Sequence, residues 1–115
     1  MTRFRRGDVV LVRYPHSDLV TYKKRPVLVV QDEDVETGLR QRLVVAITSN
    51  LARSGETRVF VPKDSAEGKQ MGLLTDSMIM ADSSAAMIPR EADKIIGSCS
   101  VMDKVDRALR TILRP

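Results

Sequence analysis

Residues 27–30, Val27-Leu28-Val29-Val30, form an unbroken aliphatic run with Pro26 before it and Gln31-Asp32 after it. A run so short, rich in Val and bounded by turn chemistry, reads as a buried strand rather than a helix. The same kind of run recurs at residues 9–12 and 43–47. A chain whose apolar residues arrive in such short runs has to build its core around a sheet. Pro26 is tolerable at a strand's first residue, so this reading starts the strand there. The three cations ahead of it, Lys23-Lys24-Arg25, then lie where a basic loop passes into a rigid element. A charge held on a rigid strand and facing outward is well placed to work on a ligand.

At 115 residues the chain suggests one domain with a single modest core. Trp is absent and aromatics make up 3%, so that core falls to Val, Leu, Ile and Met. A lone cysteine, Cys99, forms no internal disulfide, and nothing argues for an oxidising compartment. The basic N-terminus leads straight into a strand pattern, without the layout of a signal peptide, and no apolar run approaches membrane-spanning length. A soluble cytoplasmic protein is expected. The net charge of +4 permits a polyanionic partner without requiring one.

Along the chain, Gly7-Asp8 signals a turn, and strands are expected at residues 9–14, 26–30, 43–47, 57–62 and 73–81. Shorter ones are expected near residues 86–89 and 94–99. Residues 15–24 read as the loop of a wide hairpin, and 63–70 as a polar loop. The C-terminal segment has helical periodicity, with Val101, Val105, Ala108, Leu109 and Ile112 on one face. Ser100 reads as its N-cap, with Asp103 completing a capping box. Together these predict a mainly β chain with α+β character, a small antiparallel barrel packed by a C-terminal helix, spanning residues 1–115 as one domain.

One His, one Cys and dispersed carboxylates give no metal-ligand spacing, and no cofactor motif is present. The scattered glycines form no phosphate loop, and nothing resembles a nucleophile elbow. The acidic patch at residues 32–36 reads as a solvated turn. What remains is polar chemistry at strand ends: Arg25, Thr48 and Ser49, Asp76 and Ser77. By pattern alone these residues also suit plain turn caps and surface charges.

The order of several blocks goes further. Gly7-Asp8-Val9-Val10-Leu11-Val12, Pro15-His16-Ser17-Asp18-Leu19 and Lys24-Arg25-Pro26-Val27-Leu28-Val29-Val30 resemble the start of the MazF/PemK toxin family. Val45-Ala46-Ile47-Thr48-Ser49-Asn50, Gly72-Leu73-Leu74-Thr75-Asp76-Ser77 and Lys94-Ile95-Ile96-Gly97 resemble its later blocks, in the right order along nearly the whole chain. The resemblance implies an SH3-like barrel, usually a homodimer, that cuts single-stranded RNA without metal and leaves 2′,3′-cyclic phosphate and 5′-hydroxyl ends. It also implies a separate antitoxin whose acidic, partly disordered tail covers the basic face. The family's catalytic arginine falls on Arg25 and its catalytic threonine on Thr48.

Physical chemistry is consistent with those roles. The attacking 2′-hydroxyl belongs to the RNA, so the protein needs no nucleophile. A guanidinium fork matches phosphate oxygens, and a hydroxyl adds a further donor. Guanidinium groups hold their proton through the neutral range, which leaves the general base unassigned. His16 suits proton transfer near neutral pH, yet it stands where the family carries an aromatic, which suits stacking. Lys23 and Lys24 suit phosphate positioning, while Ser49, Asp76 and Ser77 are candidates for further substrate contact. Tyr14 and Tyr22 could stack bases. The chain departs from the family at Ser83-Ser84-Ala85-Ala86-Met87, where many members carry Gln and Arg. Two other functions fit the same fold: a non-enzymatic poison like the gyrase-binding CcdB branch, which depends on a C-terminal Trp that this chain lacks, and a cleavage-dead domain that only binds antitoxin or nucleic acid.

Overall fold

The computed structural model describes residues 4–15, 18 and 20–114, with the side chains of Tyr14, Pro15 and Tyr22 excepted. Six strands form one antiparallel sheet: β1 (Asp8–Pro15), β2 (Tyr22–Val29), β3 (Arg42–Thr48), β4 (Arg58–Val61), β5 (Ser77–Met87) and β6 (Ala92–Ser98). Their order across the sheet is β4-β5-β3-β2-β1-β6. The outer strands β4 and β6 are not bonded to each other, so the sheet is open although its class is the expected one. Two α-helices, α1 (Ala66–Met71) and α2 (Met102–Leu113), and a short 3₁₀ turn at Pro89–Glu91 complete the described fold.

Both faces of the sheet carry buried aliphatics, as the unbroken runs require. Because side chains alternate along a strand, the runs divide cleanly. Val9, Leu28, Val45, Ile47, Val59, Val61 and Ile79 face α1 and α2, meeting Met71, Val105 and Ala108. Val10, Val12, Val27, Val29, Val44 and Met87 face the other way and pack with Phe4 and Ala92. Arg6 ties the helical layer to the sheet, its guanidinium donating to the Val30 carbonyl and to Asp106 on α2.

Several expected boundaries move. The segment expected as a polar loop holds α1, a helix too short to show a periodic face. Ser65 starts it, its Oγ accepting from the Gly68 N–H at 3.0 Å, and Gly72 ends it with φ +74°. Gly97 of β6 lets α1 lie directly on the sheet, since a Cβ there would sit 2.3 Å from the Gln70 carbonyl oxygen. Residues 73–76 are a turn, and the two strands expected on either side of residues 82–85 are one, β5. An irregularity joins its halves: the β3 pairing jumps from Ala46↔Met80 to Val45↔Ser84. Asp82 sits in that bulge, accepting from Thr57 Oγ1 at 2.8 Å and Arg58 Nε at 3.1 Å.

The helix α2 also starts differently. Its N-cap is Val101, without a side-chain hydrogen bond, rather than Ser100, so the expected capping box is not formed. The Val101 carbonyl accepts from Val105, which is fully buried; packing of that side chain sets where the helix begins. Ile112 lies 45% exposed and drops off the expected buried face.

Candidate functional site

Pro26 lies inside β2, opposite Leu11 of β1, and not at its first residue. Its effect on the neighbouring strand is the more important one. The β2–β3 pairs Val27↔Ala46, Leu28↔Val45 and Val29↔Val44, with the Val30 N–H bonded to the Leu43 carbonyl, turn the backbone groups of residues 28 and 30 toward β3. By the same alternation residue 26 would also point its N–H at β3, and proline has none. The ladder stops there, at Val27↔Ala46. Continued by two residues, the same register would bring Arg25 level with Thr48.

Alternation also assigns the faces. Arg25 and Lys23 lie on the side of Val27, and Thr48 on the side of Val44 and Ala46, so all three share one face at one end of the sheet. Arg25 is exposed and pairs across β1 with Val12, while Thr48 is half-buried. The Thr48 hydroxyl accepts from the Asn50 N–H at 3.1 Å, which leaves its own proton free to donate elsewhere. Along the same face runs an apolar hollow of about 270 Å³ floored by Val12, Val27, Val44 and Met87.

The other candidates separate. Lys24 points to the opposite side and is paired with Asp93 of β6, Nζ to Oδ2 at 3.0 Å. Arg13 meets the same carboxylate at 3.0 Å. The Lys24 hydrogen bond, with the charges of Lys24 and Arg13, holds the Asp93 carboxyl below its ordinary range. No sequence signal announced this cluster, because Asp93 and Arg13 are 80 residues apart. Ser49 is exposed beside Thr48. Asp76 accepts from the Lys63 N–H at 2.9 Å, and Ser77 is buried with its hydroxyl donated to the Thr75 carbonyl at 2.9 Å. Both hold the turn into β5 at the same end of the sheet as Thr48.

His16 lies outside the described residues, as do the side chains of Tyr14 and Tyr22. Asp18 accepts from the Thr21 and Val20 N–H groups at 3.0 Å and from Thr21 Oγ1 at 2.9 Å. Those bonds, the Thr21 backbone bond first, hold its carboxyl below the usual range. Among the described residues no helix is long and apolar enough to cross a membrane.

Comparison with solved structures gives the same fold several times over. A mycobacterial endoribonuclease in complex with its cognate antitoxin superposes with a TM-score of 0.73 at 21% identity, covering 97% of this chain and 96% of that one. The Mycobacterium tuberculosis toxin MazF-mt6 gives 0.70 at 22% identity, over 93% and 96%. A MazE–MazF structure from Deinococcus radiodurans gives 0.72 at 16% identity, over 99% and 98%. A search of curated proteins by sequence returns no match. A family model described as the PemK-like, MazF-like toxin of type II toxin–antitoxin systems matches residues 5–113, nearly the full length, and the chain therefore belongs to that family.

Proposed function

We propose that this chain is an endoribonuclease toxin that cuts single-stranded RNA by attack of the ribose 2′-hydroxyl on the adjacent phosphate. The 2′-oxygen forms the new bond to phosphorus and the bond to the 5′-oxygen breaks. The products are a 2′,3′-cyclic phosphate and a 5′-hydroxyl. The proton lost from the 2′-hydroxyl goes to a base, for which the His16 loop is the candidate source, and the leaving 5′-oxygen takes its proton from the Arg25 guanidinium or from water. No step calls on a metal ion.

The observation that supports this reading is the end of the β2–β3 ladder at Val27↔Ala46, two residues short of Arg25 and Thr48, which strand alternation assigns to one face. Arg25 binds the non-bridging oxygens through its planar fork of donors, and Thr48 donates its hydroxyl to the same developing charge. Lys23, on the same face, draws the backbone phosphates in, while Lys24 divides its charge with Asp93. The apolar hollow beside them suits a base displaced from a stack. Ser49 is close enough in sequence to touch a flanking nucleotide, and Asp76 and Ser77 shape the rim rather than bind. The toxin would act as a homodimer in the cytoplasm, held in check by an antitoxin as the mycobacterial and Deinococcus proteins are seen with theirs.

Incubating the purified chain with a long RNA in excess EDTA and mapping 5′-hydroxyl ends tests the proposal. Discrete cuts are expected, with Arg25→Ala slowing them by a few hundred-fold, about 3–4 kcal/mol of barrier. Binding of RNA without new 5′-hydroxyl ends would leave only a binding domain. Cuts that persist at full rate in Arg25→Ala would remove the arginine from the mechanism.

A further inference from the structure

The chain has four aromatic residues, two Phe and two Tyr. Phe4 is 7% exposed and packs in the core with Val10 and Val27. Phe60 of β4 is 50% exposed, the one exposed aromatic among the described side chains. Its neighbours Val59 and Val61 point into the core with Val105 and Ala108 of α2, so strand alternation turns the Phe60 ring to the opposite face. That is the face to which the same alternation assigns Arg25 and Thr48. Strand β4 is an outer strand, bonded only to β5, so one side of the ring lies toward open solvent.

The sheet register also puts the ring in line with the threonine. Phe60 of β4 lies opposite Met78 of β5, and Met78 lies opposite Thr48 of β3. Directly opposed residues share a face, so Phe60, Met78 and Thr48 form one row across three strands. The irregularity in β5 comes after Met80 and leaves this row intact. At the usual strand spacing the ring stands about 10 Å from Thr48. Met78 between them is 5% exposed, which leaves Phe60 and Thr48 as the accessible ends of the row. Arg58, two residues before Phe60 and on the same face, already meets Asp82 at 3.1 Å. Beyond Thr48 the row therefore offers a flat apolar ring rather than a charge.

We propose that Phe60 is a base-stacking residue for RNA: its ring takes the base of a nucleotide flanking the cut and so holds the strand in line over Thr48 and Arg25. The inference rests on the reading of that face as an RNA site and adds to it a contact that carries no charge. The covered half of the ring fixes its orientation, and the open half is what a base covers. An aromatic side chain has two torsions to hold, so little entropy is lost when it stacks. Every base has a π face, so the contact tolerates sequence, with a preference set by stacking strength rather than by hydrogen bonds.

The test uses the full chain and single-stranded 2′-O-methyl oligoribonucleotides, which cannot be cut, carrying 2-aminopurine at successive positions. Fluorescence quenching at one position is expected. Phe60→Ala should remove it and weaken binding by about tenfold, and Phe60→Tyr should restore both. On cleavable RNA, Phe60→Ala should raise KM by about tenfold with little change in kcat. An abasic residue at the quenched position should weaken binding to the unaltered chain by a similar factor, an arm that does not depend on whether any variant folds. In Phe60→Ala the same abasic residue should cost nothing further. Quenching with no cuts in natural RNA would remove the cleavage reading and leave the stacking in place, whereas no binding of any oligoribonucleotide would overturn both. Binding unchanged in Phe60→Ala, or an abasic penalty equal in the two chains, would overturn the stacking alone. So would a Phe60→Ala chain whose sedimentation mass falls, since the ring would then belong to contact with a second copy.

Discussion

At the scale of single residues, the three cations of Lys23-Lys24-Arg25 have three different situations, although they read alike in sequence. Lys24 is fixed to Asp93 and Arg13 shares that carboxylate, so its work is to brace β2 against β6. Lys23 shares the face of Arg25. Lys23→Ala should therefore weaken RNA binding across all sequences and reduce the slope of log affinity against log salt by about 1, whereas Lys24→Ala should change the slope less and lower the unfolding midpoint instead. Filter-binding titrations at several salt concentrations, with thermal melts alongside, separate the two. At position 25 itself lysine is no conservative replacement, because a point charge lacks the planar fork. Arg25→Lys should keep most RNA affinity and lose most of kcat. Thr48→Val, which keeps shape and removes the hydroxyl, should cost about a hundredfold in kcat with a small change in KM.

At the scale of elements, Pro26 and Gly97 each act by what they lack. Pro26 withholds an N–H, and the β2–β3 ladder ends beside it at Val27↔Ala46, two residues before Arg25 and Thr48. Pro26→Ala should let the ladder extend, seen as slowed exchange of the new amide at position 26, and should draw the two strands together there. Loss of cleavage toward the roughly hundredfold expected of an ångström's misplacement would follow, in a chain at least as stable as the parent. Gly97 withholds a Cβ that would come within 2.5 Å of Met71 carbonyl carbon and 2.3 Å of Gln70 oxygen. These are backbone atoms, which cannot swing aside. Gly97→Ala should cost about 1–3 kcal/mol, the usual penalty for forcing atoms into a packed contact, measured by urea denaturation. That helix α1 exists at all follows from Ser65, Gly72 and this close approach; its apolar contribution is one side chain, Met71, too little for any periodicity to register.

At the scale of the whole molecule, two carboxylates hold distant strands together, and both titrate below their ordinary value. Asp93 is held down by Lys24 and Arg13 across β1, β2 and β6. For Asp82, partial burial is the largest influence and pulls upward, but Thr57 and Arg58 outweigh it across the β4–β5 join. A carboxyl whose folded value is depressed contributes stability that is present above its unfolded value and lost as pH falls through the folded one. Stability should thus be level near neutrality and fall on acidification below the ordinary carboxylate value of 3.8. Urea unfolding midpoints measured from neutral pH down to about 3 should show a shallower acid limb in Asp93→Asn than in the parent. Lys24 and Arg13 would then have no counter-charge to lose.

The sequence by itself determined that the core is a sheet, that one helix closes the chain, and which blocks of residues follow one another. Those are local matters, set by runs of aliphatics, turn residues and helical spacing, each readable within a dozen positions. It also singled out Arg25 and Thr48 through the order of its blocks. Only the tertiary structure decided that the β2–β3 ladder stops at Val27↔Ala46, that Lys24 is held by Asp93, and that β4 is left with an open edge. Strand order, register and face depend on which distant segments pair, and pairing energy is spread over contacts that no short stretch of sequence contains.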